Sequence, residues 1–319
     1  MAKGMWGIGL FALAGCSMAH EEPPADVALV PMPSFGGTTS FIGGGQPALN
    51  GAVFKADRAL KPVSGGTLLI TKDGATAVVA DPDRDQVLLV DLKSEAVTRT
   101  LTLDAGSEPG RAAQDAEGRV HVVLRGSGKL LSFDPASGEV LGTRSVCSYP
   151  RGVAVSPTDA VLFVACAEGK LLSLPADASV AEPLRTLQLD RDLRDVVAVA
   201  DGLWVSRFRS GEILRLDGAG TIVRRTKLPS ANGSMGESIS SVAWRMVPNP
   251  SGGVTVVHQR AFAGEVMPSP GGYGESGVMG GLVSSAITTV SESGVAMGTT
   301  VALSAPLPVD IAQSPVSGR

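Results

Sequence analysis

The pentapeptide Gly128-Lys129-Leu130-Leu131-Ser132 recurs unchanged, about 41 residues on, as Gly169-Lys170-Leu171-Leu172-Ser173. The same slot holds Gly211-Glu212-Ile213-Leu214-Arg215 one period later and Asp85-Gln86-Val87-Leu88-Leu89 one period earlier. Self-similarity at this spacing means that one supersecondary unit is repeated, and that each unit buries its neighbour's face. Every unit has the same internal order. In the third, an apolar strand Arg151-Gly152-Val153-Ala154-Val155 precedes the turn Ser156-Pro157-Thr158-Asp159. Val161 to Ala165 forms the next strand, Leu171 to Leu174 the third, and Leu184 to Leu189 the fourth. Short apolar runs between Gly, Pro, Asn, Asp and Ser clusters read as strands joined by tight turns. Four strands in roughly 40–45 residues is the size of a propeller blade.

Composition agrees. The 319 residues include 40 Gly and 21 Pro, which leaves little room for long helices. Hydrophobic residues at 44% and charged residues at 18% are incompatible with a mostly disordered chain. The expected fold class is therefore all-β, a β-propeller of four-stranded blades. Units fall at about 64–108, 109–149, 150–192 and 193–230, with a divergent fifth at about 238–305 that carries a Gly-rich insertion near 268–281. Leu307-Pro308-Val309-Asp310-Ile311 then restarts the first-strand pattern. That restart predicts an incomplete ring in a fragment of a longer protein. The other reading is a small closed ring whose last strand completes a blade.

The first residues carry an address. Lys3 precedes an apolar stretch, Met5 to Leu13, that is too short to span a bilayer and ends in Leu13-Ala14-Gly15-Cys16. This resembles the bacterial lipobox. The resemblance implies a signal peptide over 1–15, acylation of Cys16, and a lipid anchor in the cell envelope, facing the periplasm or the exterior. Residues 16–51 have Pro pairs, Gly runs and no sustained period, as a flexible tether does. The propeller is expected over 52–319. A formal charge of −4 provides no basic footprint for nucleic acid, so the expected partners are the membrane, through the anchor, and an unknown protein or anionic ligand.

The wording of the repeats resembles a family. Tyr149-Pro150-Arg151-Gly152-Val153-Ala154-Val155-Ser156-Pro157, followed by Leu162-Phe163-Val164-Ala165, is similar to the bacterial YVTN-repeat β-propellers, and Val87-Leu88-Leu89-Val90-Asp91 matches a further piece of their consensus. The resemblance covers about 64–230 closely and 238–319 loosely, and implies a scaffold rather than a chemistry. Asp190 to Asp195 and Ser206-Arg207-Phe208-Arg209-Ser210 also resemble envelope proteins in which such a propeller precedes a c-type cytochrome domain. Haem attachment needs C-x-x-C-H, which this chain lacks, so no cofactor is expected here and a haem would belong beyond residue 319. A lactonase- or hydrolase-type propeller is the third reading. No G-x-S-x-G, H-E-x-x-H or phosphate-binding loop supports it.

Candidate site residues are few. Cys147 and Cys166 flank one predicted hairpin, and an exported chain sits where disulfides persist, so a bridge is expected. Arg111, Arg151 and Arg194 lie about 17–18 residues before the turn glycine of their units and read as one repeat slot on the channel-lining strand. Three guanidiniums there would make an anion-attracting funnel; the alternative is that each pairs with a local carboxylate such as Asp192 or Asp195. Arg207 and Arg209 extend that basic set. His258 and Arg260 follow the apolar run Val254 to Val257, where His258 is either a functional group or a structural strand-end residue.

Overall fold

The computed structural model describes residues 68–233, 236–264, 282–303 and 307–312. The lipobox cysteine Cys16, the tether and the Gly-rich insertion lie outside the described residues.

All regular structure among the described residues is β. Blade 1 comprises β1 (Leu68–Ile70), β2 (Thr76–Asp81), β3 (Gln86–Asp91) and β4 (Ala96–Thr102). Blade 2 comprises β5 (Pro109–Gln114), β6 (Val120–Leu124), β7 (Lys129–Phe133) and β8 (Val140–Ser145). Blade 3 comprises β9 (Pro150–Val155), β10 (Val161–Cys166), β11 (Lys170–Pro175) and β12 (Arg185–Gln188). Blade 4 comprises β13 (Leu193–Val199), β14 (Gly202–Arg207), β15 (Glu212–Asp217) and β16 (Ile222–Lys227). The fifth sheet has five strands: β17 (Ala231–Gly233), β18 (Gly236–Pro248), β19 (Val254–Phe262), β20 (Val283–Val290) and β21 (Ala296–Leu303). Each sheet is an antiparallel meander in sequence order. The predicted units thus coincide with the observed sheets. The chain is a β-propeller with five blades among the described residues.

The repeated pentapeptide has a physical explanation. Its glycine turns between the second and third strands; Gly128 has φ +71° and a Cβ there would sit 2.5 Å from the Cys147 carbonyl oxygen. The two leucines that follow point to opposite faces because side chains alternate along a strand. Leu131 packs with Val78, Val87 and Leu89 of blade 1, whereas Leu130 packs with Val153, Leu162 and Val164 of blade 3. Leu171 and Leu172 repeat the division, toward blade 4 and into the blade 2–3 core respectively. Blades 4 and 5 join through Trp204, Ile213, Met246 and Val256. Each buried leucine contributes roughly 1.5–3 kcal/mol. The core is therefore a series of inter-blade layers. The outermost strand β4 is mostly exposed and carries Thr and Arg, which guard its edge.

First strands of blades 1 to 4 pack side by side, β1 on β5, β5 on β9 and β9 on β13, and β13 then packs on β18, the second strand of the fifth sheet. The closest approach is at Gly152, where a Cβ would lie 2.9 Å from Asp195 Cα and 3.0 Å from the Arg194 carbonyl oxygen. The glycine of the Arg-Gly-Val-Ala-Val motif is what lets β9 and β13 backbones meet.

One expectation needs correction. Residues 307–312 form no strand, although the sequence restarts the first-strand pattern there. Pro308 has no N–H to give a ladder, and its ring is buried instead. What this segment supplies is the side chain of Asp310.

Candidate functional site: the channel mouth

The inner strands of blades 2 to 5 each carry a bulge near their start. Pairing is regular from Ala112↔Val122, Val153↔Val164, Val196↔Val205 and Met246↔Val256 onward. Directly before those pairs stand Arg111, Gly152, Asp195 and Arg245. One residue earlier, at the bulge itself, stand Gly110, Arg151, Arg194 and Trp244. Arg151 and Arg194 therefore share a slot, as the repeat spacing predicts. Arg111 is offset by one residue: it stands 17 residues before its turn glycine, as Arg194 does, but blade 4 has 15 residues from its first regular pair to that glycine where blades 2 and 3 have 16, so equal spacing from the turn is not an equal level.

The two positions form two levels. The inner level is a charge network. Arg111 Nε of blade 2 lies 3.6 Å from Asp195 Oδ1 of blade 4. Blade 3 stands between them in sequence, but its residue at that level is Gly152, which has no side chain to obstruct the contact. Asp195 also meets Arg245 Nη1 of blade 5 at 3.3 Å and accepts the Met246 backbone N–H at 2.9 Å. Asp310 Oδ1 completes the network, 3.5 Å from Arg111 Nη1 and 3.2 Å from Arg245 Nε. Asp195 is fully buried and Arg111 nearly so. Blades 2, 4 and 5 thus converge on one point, as they must around a central channel.

The bulge level is a cation–aromatic stack. Arg151 lies 5.6 Å from the Tyr149 ring centroid and 5.5 Å from that of Phe208. Arg194 lies 4.9 Å from Phe208 and 5.2 Å from Trp244, whose rings meet edge to face. Such contacts hold a guanidinium by its face and leave its in-plane N–H groups for other partners. Arg151 donates to Asp192 Oδ1 at 2.7 Å. Asp192 has φ +75°, and its second oxygen accepts the Arg209 backbone N–H at 2.8 Å. Arg194 differs: it makes no hydrogen bond or ion pair to any described residue. Burial, then the charge of Arg111, opposed by Asp195, then Arg151 and Arg125, lower its pKa to about 10. It stays a cation at neutral pH, with no carboxylate in contact with it among the described residues.

The remaining candidates are placed elsewhere. Arg207 pairs with Glu212 at 2.7 Å, and the Arg209 side chain is exposed. His258 lies inside β19 rather than at a strand end. It is fully buried, 2.8 Å from Thr288 Oγ1, and burial lowers its pKa to about 4. Arg260 is buried, and its Nε donates to the Pro229 carbonyl oxygen at 3.3 Å. Neither shares a hydrogen bond or ion pair with the mouth arginines among the described residues. Cys147 and Cys166 are bridged, with Cα atoms 6.3 Å apart. Glu168 lies beside them, but with both sulfurs in the bridge no thiolate is left to act as a ligand.

Sequence reasoning named Asp192 and Asp195 as carboxylate partners of the arginines, as Arg151 and Arg111 show, but missed Arg245, Phe208, Trp244 and Asp310 as mouth residues. It also missed a Ser–His–Asp line in blade 2. His121 Nδ1 lies 2.8 Å from Ser132 Oγ, and Nε2 lies 3.1 Å from Asp115 Oδ2. Burial lowers the His121 pKa against the pull of Asp115, so the ring is neutral, accepts from Ser132 and donates to Asp115. All three side chains are at most 1% exposed, so no substrate carbonyl can reach Ser132. The line satisfies buried polar groups between β6, β7 and the β5–β6 turn.

No family model and no curated protein matches the sequence. Solved structures do. Kuenenia stuttgartiensis hydrazine synthase superposes with TM-score 0.58 at 18% identity, over 76% of this chain and 67% of that one. A chain of the mitotic checkpoint complex gives 0.51 at 15%, over 71% of this chain and 61% of that one. Virginiamycin B lyase from Staphylococcus aureus gives 0.45 at 12%, over 73% and 83%. At such identities the likeness is one of fold: the protein is a β-propeller.

Proposed function

We propose that the protein is a lipid-anchored β-propeller of the bacterial cell envelope that binds an anionic ligand or partner at this channel mouth and carries no catalysis of its own. The observation that carries the reading is Arg194. A guanidinium held over the Phe208 and Trp244 rings, part-buried and without an acceptor among the described residues, is preorganised to receive an anion. Four guanidiniums (Arg111, Arg151, Arg194 and Arg245) share the mouth with three carboxylates (Asp192, Asp195 and Asp310), which leaves one net positive charge there. The lipobox resemblance of residues 13–16 supports the envelope address. The test is thermal melting with acetate or inorganic phosphate at constant low ionic strength. Binding should raise the midpoint with concentration, and Arg194→Gln should abolish the rise. An equal rise in wild type and variant would count against the site.

A further inference from the structure

The inner level already holds an anion, and it comes from the chain itself. Asp310 reaches Arg111 and Arg245 through one oxygen, at 3.5 and 3.2 Å. A well-formed charge-assisted pair is shorter and often bidentate, as Arg151 with Asp192 at 2.7 Å shows for length. The Asp310 side chain is 37% exposed, against 5% for Arg111. Residues 307–312 belong to no strand and give no backbone hydrogen bond to a described residue outside the segment. Apart from the buried Pro308, this ion pair is what the structure shows fastening the segment. Beyond the buried Asp195 that they share, two guanidiniums, one of them nearly buried, are thus served by a loosely held carboxylate on a non-ladder stretch.

We infer that the mouth is a carboxylate site with two positions, of which the chain's own Asp310 occupies the inner one as a displaceable internal ligand and Arg194 offers the outer one. The inference rests on the anion-binding reading above and deepens it to a ligand class. A molecule or acidic peptide with two carboxylates reaches both positions only by ejecting Asp310. One with a single carboxylate is satisfied at Arg194 alone. Carboxylate is favoured over phosphate because Asp310 is the acceptor the inner pair already takes, and because a single uncompensated charge matches a monoanion at each position.

The experiment is calorimetric titration at low ionic strength with succinate and acetate as probes, on wild type, Asp310→Asn and Arg194→Gln. Asp310→Asn should bind succinate about tenfold tighter than wild type and change little toward acetate. A synthetic peptide covering residues 305–314 should compete with succinate on that variant, and the same peptide with Asn at its aspartate should not. Wild type provides a readout that needs no variant: succinate should speed amide hydrogen exchange in 307–312. Unchanged succinate affinity in Asp310→Asn, together with exchange that succinate does not alter, would overturn the inference while leaving Arg194-dependent acetate binding standing. No binding of either probe to any form would overturn the anion-binding reading itself.

Discussion

Gly152→Ala tests the channel geometry with a single methyl group. The added Cβ would stand 2.9 Å from Asp195 Cα, 3.0 Å from the Arg194 carbonyl oxygen and 3.2 Å from Val196 N. All three are backbone atoms of β13, so no side chain can swing aside; β9 and β13 must separate instead. Overpacking of this kind costs about 1–3 kcal/mol. Gly110→Ala is the control, because the three atoms nearest its Cβ, at 3.2 to 3.4 Å, all belong to the flexible Arg125 side chain, and it should cost under about 1 kcal/mol. In a domain of this size the difference appears as a fall in melting temperature of roughly 2–10 °C for Gly152→Ala. Urea unfolding followed by circular dichroism should show the same order. Equal stability of the two variants would refute the claim that inner strands meet at Gly152.

Further expectations are as follows. His258 is neutral when folded, with a pKa of about 4 against 6.5 when unfolded, so the unfolded chain binds the extra proton in between. Stability from this group is fully present above pH 6.5 and falls by about 3 kcal/mol as the pH drops toward 4; His258→Gln should flatten the stability–pH curve there. Replacing Cys147 and Cys166 with Ser should cost about 2–4 kcal/mol, read by denaturant unfolding of the oxidised protein against the variant. Asp195→Ala should cost about 3–5 kcal/mol, because it leaves the nearly buried Arg111 and the Met246 N–H without their carboxylate; a loss below 1 kcal/mol would deny the inner network. Cys16→Ala should release the protein from membranes on fractionation, and a fully membrane-bound variant would end the lipoprotein reading.

Blades were legible because inter-blade packing is written locally. Leu130 and Leu131 alternate between two faces, and Gly128 marks the turn, so a period of about 41 residues reveals each sheet. The mouth was only half legible. Arg151 and Arg194 share a bulge position that the repeat exposes, but Arg111 stands one residue past it, on the level of Asp195 and Arg245. Aligning units on the first regular strand pair, rather than on the turn, would have shown this. Asp310 left no signal, because its partners Arg111 and Arg245 are 199 and 65 positions away and its segment has no ladder to betray it. His121 was hidden for a similar reason: a single buried polar line has no period.

Trp244 reports on the central claim directly, because its ring lies 5.2 Å from the Arg194 guanidinium. Titrating succinate into wild type at low ionic strength should produce a saturable change in tryptophan fluorescence that weakens as salt is raised. The change should vanish in Arg194→Gln and in Trp244→Phe, and survive in Arg209→Gln, whose side chain is exposed and outside the stack. A response that is linear in succinate, or the same in Arg194→Gln as in wild type, would contradict the account.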